Sequence, residues 1–136
     1  MADVNIALAW TGEGLQFRGG SAGGPDMLLD SDGKAGPSPI HALVLALAGC
    51  MAIDVLDIAQ KSRVPITGLS VAVEGDRRAD PPRRLTALRQ VFRTTGVTDA
   101  DRAKVTRAID LSREKYCSVL HSIREDIDMS FDLELG

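Results

Sequence analysis

The stretch that most constrains this chain is Ala42–Ile53, twelve residues with no charge among them. It is apolar on every side at helical or strand period, so whatever it forms has to be covered all round. Ser38 and Pro39 precede it. A serine hydroxyl caps the free amides of a helix start, and a proline at the first helical position lacks only a donor that has no partner there. Pro65 forbids continuation. The pattern predicts a buried helix from Pro39 to about Lys61. Twelve apolar residues are too few for a bilayer, which takes about 20. A single domain spanning residues 1–136 covers such a helix only with a sheet on one side and another helix, or another subunit, on the other. At this size, a core shared with a partner chain would help stability.

The flanking segments read as strands. Residues 4–10 alternate, Thr11–Gly14 reads as a hairpin turn, and Leu15–Arg18 as the returning strand. The glycine-rich Gly19–Pro25 predicts a loop, and Met27–Leu29 a short third strand. After the long helix, Thr67–Glu74 is a strand, Gly75–Arg84 a turn, and Leu85–Thr94 a strand pairing back as a hairpin. Residues from Arg102 to about Leu120 carry a helical stripe of Val105, Ala108, Ile109, Ser112, Tyr116 and Leu120. The last segment alternates Ile127, Met129, Phe131, Leu133 and Leu135 with Asp128, Ser130, Asp132 and Glu134, a strand with one buried and one wet acidic face. The order βββ, helix, ββ, helix, β predicts an α+β domain with antiparallel sheets.

A net charge of −3 leaves no basic patch for nucleic acid. The start, Met1–Asn5, has no charged segment followed by an apolar one, so it does not read as a secretory signal. A soluble cytoplasmic protein, off the membrane, is expected.

That compartment keeps thiols reduced, so two cysteines there do not read as a structural staple. Cys50 and Cys117 lie 67 positions apart, with no Cys-x-x-Cys. The only histidines, His41 and His121, join them in no familiar zinc spacing, and no metal or other cofactor is expected. Cys50 lies deep in the apolar helix, where a thiol packs like a small hydrophobe and burial opposes ionisation. Reactivity there requires a cation or strong donors nearby. Cys117, in Ser112–Val119 with Arg113 and Glu114 four and three positions before it, reads as a partly exposed helical cysteine in charged surroundings. By residue type alone, each cysteine has a packing reading and a reactive one.

Two segments resemble known motifs. Gly36-Pro37-Ser38-Pro39 followed by Leu45-Ala46-Leu47-Ala48-Gly49-Cys50-Met51-Ala52-Ile53-Asp54-Val55 resembles the first cysteine motif of the OsmC/Ohr superfamily. Leu111-Ser112-Arg113-Glu114-Lys115-Tyr116-Cys117-Ser118-Val119 resembles its second, in the branch with a Glu-Lys-Tyr-Cys-Ser-Val string. The spacing and the Ile66–Val71 strand fit as well, and the resemblance covers residues 36–120. It implies an OsmC-like α+β fold, an intertwined homodimer whose two central helices lie between antiparallel sheets. It implies a thiol peroxidase of oxidative-stress defence: Cys50 attacks the peroxide, preferably an organic hydroperoxide, and becomes a sulfenic acid. Cys117 condenses with it to a disulfide, and a dithiol reductant restores both.

The chain departs from the hydroperoxide-resistance pattern at one place. Those proteins activate the first cysteine with an arginine and a glutamate, the latter ten positions before the cysteine. Here that position is Ile40 and the next is His41. The candidate arginine is Arg18, before the glycine-rich segment. Glu114 and Arg113 beside Cys117 are alternative polar partners, and His41 a candidate proton acceptor or first-turn surface residue. The alternatives to a peroxidase are a dimeric pocket for a small apolar molecule, lined by unreactive cysteines, and a slow redox sensor. No Gly-x-Ser-x-Gly, phosphate loop or metal triad supports hydrolase or phosphate chemistry.

Overall fold

The computed structural model describes residues 2–136, leaving Met1 of the expected 1–136 domain outside. The chain divides into two compact units, one running through Leu45 and the other from Ala46 to Gly136. The first unit is a three-stranded antiparallel sheet of β1 (Ile6–Trp10), β2 (Gln16–Ser21) and β3 (Asp26–Asp30), in that spatial order. The predicted loop starts later than the glycines suggested. Gly19 and Gly20 lie within β2, where a Cβ on Gly19 would meet the Ala7 carbonyl oxygen at 2.5 Å and one on Gly20 the Pro25 carbonyl. Glycine here serves close strand approach rather than a turn.

Helix α1 (Pro39–Lys61) has the predicted bounds. The Ala42 amide donates to the Ser38 carbonyl at 2.8 Å. Ser38 Oγ and His41 Nδ1 lie 2.7 Å apart, so the cap engages both amide and ring of its first turn. Within the second unit, Leu47, Met51, Val55 and Ala59 form the buried row of α1, at helical spacing. The helix is not buried all round in this single chain. Leu45 is 60% and Ile53 70% exposed, and Leu56 is exposed too. By length and composition α1 meets the requirement for a membrane span, which the twelve-residue run alone did not suggest. Its buried row is nonetheless part of a protein core.

That core is completed by a second sheet in the order β4 (Gly68–Arg77), β5 (Leu85–Thr95) and β6 (Asp128–Leu135). β4 outruns its predicted end at Glu74, because Gly75 lets Leu88 and the Ala87 carbonyl come close. β4 and β5 form the predicted antiparallel hairpin. β6 corrects the antiparallel expectation: it runs parallel to β5, pairing Ala87 with Asp128 through Thr94 with Leu135. A parallel neighbour requires a crossover connection. Helix α2 (Arg102–Leu111) and the turns after it provide that connection. Leu88 and Phe92 of β5 and Val105, Ala108 and Ile109 of α2 are buried with the α1 row. Each such side chain contributes about 1.5–3 kcal/mol. Gln90 shares the buried face of β5, its Nε2 3.5 Å from Met51 Sδ and its Oε1 unpaired.

α2 stops well before the predicted end near Leu120. Ser112–Tyr116 is a π-helical turn, Cys117 is extended at φ −73° and ψ 100°, and a short 3-10 turn follows at Leu120–Ser122. The stripe that suggested one continuous helix is cut by this wider turn.

Candidate functional site

Two elements of the second unit bring the cysteines together. α1 presents Cys50 one position before the buried Met51, so its sulfur lies at the edge of the core and is half-buried. The π turn closes with the Cys117 amide donating to the Ser112 carbonyl at 2.8 Å, and turns Cys117 inward until none of it is exposed. The exposures expected from the sequence are thus reversed. Cys50 was placed deep in an enclosed helix, yet one face of that helix is uncovered. Cys117 was placed on a charged helical surface, yet it leaves the helix, while Arg113, Glu114, Lys115 and Tyr116 stay outside.

The two thiols are close enough for each to shift the other's ionisation, and both are free. Burial pushes the Cys50 thiol up. The Val119 amide, the Cys117 thiol and the Ser118 hydroxyl all donate to its sulfur and together bring it below its ordinary value, against a smaller opposing charge from Asp54. Cys117 is pushed up to about 11, first by burial. The Leu120 amide, 3.3 Å from its sulfur, opposes this, while donation to Cys50 and the charge of Cys50 add to it. The order of ionisation is therefore Cys50 first, with Cys117 holding its proton. Strong donors on the Cys117–Val119 segment take the place of a cation among the groups that hold the Cys50 value down.

The other predicted residues fall as follows. Arg18 is an exposed β2 residue, opposite Ala9 and Leu28, in the first unit. His41 is an exposed first-turn residue engaged with Ser38. Arg113 stacks over Phe131, 5.0 Å from its centroid, and its carbonyl lies 3.1 Å from His121 Nε2. Glu114 is exposed, and no hydrogen bond or ion pair ties it to either thiol among the described residues. The acid beside the site is Asp54, whose Oδ2 accepts from Ser112 Oγ at 2.9 Å. Sequence reasoning missed both. The available signals were an acid four positions after Cys50, hence on the same helical face, and a serine inside the apolar stripe of α2. The amides of Val119 and Leu120 carry no side-chain signal at all.

The family model described as "OsmC-like protein" matches residues 31–132. Protein YhfA of Escherichia coli K12 is 40% identical over 124 residues, covering 90% of this chain and 92% of that protein. An OsmC-like protein from Mycoplasma pneumoniae superposes with a TM-score of 0.77 at 16% identity, covering 99% of this chain and 96% of the other. The organic hydroperoxide resistance protein OhrB of Bacillus subtilis does so at 0.65 and 18% identity, covering 98% of this chain and all of that one. At those identities the two structures testify to the fold alone.

Proposed function

The chain belongs to the OsmC-like protein family, and from that premise we propose that it is a thiol peroxidase of oxidative-stress defence acting on organic hydroperoxides. The observation that carries this is the asymmetric pair of free thiols: Cys50 below its ordinary pKa and half-exposed, Cys117 buried and protonated beside it.

The Cys50 thiolate attacks the distal oxygen of the hydroperoxide. The O–O bond breaks, Cys50 becomes a sulfenic acid, and the alkoxide leaves, taking a proton from solvent to become the alcohol. The Cys117 sulfur then attacks that of Cys50, the S–O bond breaks, and water departs with the proton of Cys117. A dithiol supplies two electrons and two protons to restore both thiols by exchange. A neighbouring second thiol matters because a lone sulfenic acid is over-oxidised by further peroxide. The apolar setting of Cys50, with Ile53 on the uncovered face of α1, favours organic over charged peroxides. Arg18 enters as the cation that the family resemblance assigns to the thiolate. The exposed apolar residues of α1 favour a homodimer in which a second copy covers them, and a soluble, cytoplasmic setting belongs to the same proposal.

Limiting cumene hydroperoxide added to the reduced protein tests this. Rapid formation of an intramolecular Cys50–Cys117 disulfide, lost in Cys50→Ser and Cys117→Ser, is expected by intact mass. Thiols oxidising no faster than a free model thiol would exclude the peroxidase and leave a ligand-binding dimer.

A further inference from the structure

Asp54 sits one turn beyond Cys50 on α1, where its charge works against the thiolate. An acid in that place opposes activation, so its use lies elsewhere. Its partner, Ser112, is fully buried and joins two things at once. Its Oγ donates to Asp54 Oδ2 at 2.9 Å, and its carbonyl accepts the Cys117 amide at 2.8 Å. The other bonds of the Cys117 backbone and sulfur within its own segment are local: its carbonyl accepts from the His121 amide at 3.2 Å and its sulfur from the Leu120 amide at 3.3 Å. Cys117 itself is outside any helix.

We infer that Ser112 and Asp54 are positioning residues: their hydrogen bond holds Cys117 in register with Cys50 and so sets how readily the second thiol closes the disulfide. The links run from Cys50 along rigid α1 to Asp54, across to Ser112, through the π turn to Cys117, and back to Cys50. Breaking the Ser112–Asp54 link frees the turn to drift from α1, and misplacement by about 1 Å is enough to slow such a step. The inference rests on the proposed disulfide-forming role of the pair, but not on peroxide as its oxidant.

The test uses the full-length protein in glutathione redox buffers. The Cys50 thiolate attacks oxidised glutathione and expels one glutathione thiolate. Cys117 then attacks the mixed disulfide and expels the second, so two protein thiols are oxidised and one glutathione disulfide is reduced to two thiols. The equilibrium gives the effective concentration of Cys117 at Cys50. Ser112→Ala and Asp54→Ala are expected to lower it about tenfold, as loss of a hydrogen bond to a charged group does. Asp54→Asn keeps the acceptor and removes the charge. It should stay within about twofold of the parent while lowering the Cys50 pKa further. Unfolding midpoints recorded alongside separate lost folding from lost register. If Ser112→Ala does not fold, the contrast between Asp54→Ala and Asp54→Asn decides alone. A Ser112→Ala or Asp54→Ala value within twofold of the parent, or an Asp54→Asn value as low as that of Asp54→Ala, overturns the inference. A protein that closes the disulfide readily here but ignores hydroperoxide defeats the peroxidase and leaves this inference standing.

Discussion

The fully buried Cys117 thiol donates toward the half-exposed sulfur of Cys50, so the thiol that solvent reaches less easily supports the ionisation of the one it reaches more easily. The same contact adds to the burial that keeps Cys117 protonated. Together with the Val119 and Ser118 donors at Cys50, burial and this contact assign an order to two residues of the same type.

That order is measurable as a pH profile. A thiol whose pKa lies below its ordinary 9.0 holds more thiolate at neutral pH, and one pushed up to about 11 holds less. Iodoacetamide should modify Cys50 with a midpoint below 9.0 and Cys117 only at strongly alkaline pH. Cys50→Ser removes a charge from beside Cys117 and lowers its midpoint, which burial still keeps above the ordinary value. Equal midpoints for the two cysteines by peptide mass would defeat the assignment.

Arg18→Ala should slow peroxide-driven oxidation at least tenfold if its guanidinium supports the developing charge, an effect of the size seen when one electrostatic donor is removed. Glu114→Gln should change that rate less than about twofold, since its carboxylate is exposed and without a bond to either thiol. Stopped-flow oxidation of each variant checks both expectations. A large loss in Glu114→Gln would return that residue to the site.

Gln90 is fully buried with its Oε1 unpaired. A buried acceptor without a partner is a standing cost, so Gln90→Met, of similar volume, should raise stability by about 1 kcal/mol. Phe92→Ala on the same face should lower it by about 3–5 kcal/mol. Urea unfolding gives both values. Destabilisation by Gln90→Met would show that the carbonyl has a partner in solution.

Leu45 and Ile53 expose 60% and 70% of their surface on a helix with no polar face there. Light scattering should show a dimer, and Ile53→Glu should weaken it, because burying an unpaired carboxylate costs several kcal/mol. A monomeric parent protein would remove the proposed dimer.

The bounds of α1 were legible because the cap and first-position proline at one end, and the terminating proline at the other, each act within a few residues of the helix end they set. The alternation of β6 was legible because side chains in a strand change face at every residue, and Met129, Phe131, Leu133 and Leu135 do face inward relative to their polar neighbours. The direction of β6 was not, since period two is the same in either direction and only the crossover through α2 decides it. Glycine in β2 and β4 misled for a related reason: a residue without a Cβ suits a turn and a close strand approach equally, and the neighbouring strand selects between them.

Of the candidate site, the sequence by itself determined which residues carry sulfur and that two motifs spaced as in one family contain them. It did not determine their exposure. That follows from how many sides of α1 a single chain covers and from the π turn that takes Cys117 out of its helix. Nor did it determine which thiol ionises first, because that depends on the burial of Cys117 and on two backbone amides, that of Val119 toward Cys50 and that of Leu120, which works the other way, toward Cys117. Every residue but proline has such an amide. Only the tertiary fold aims these two at sulfur.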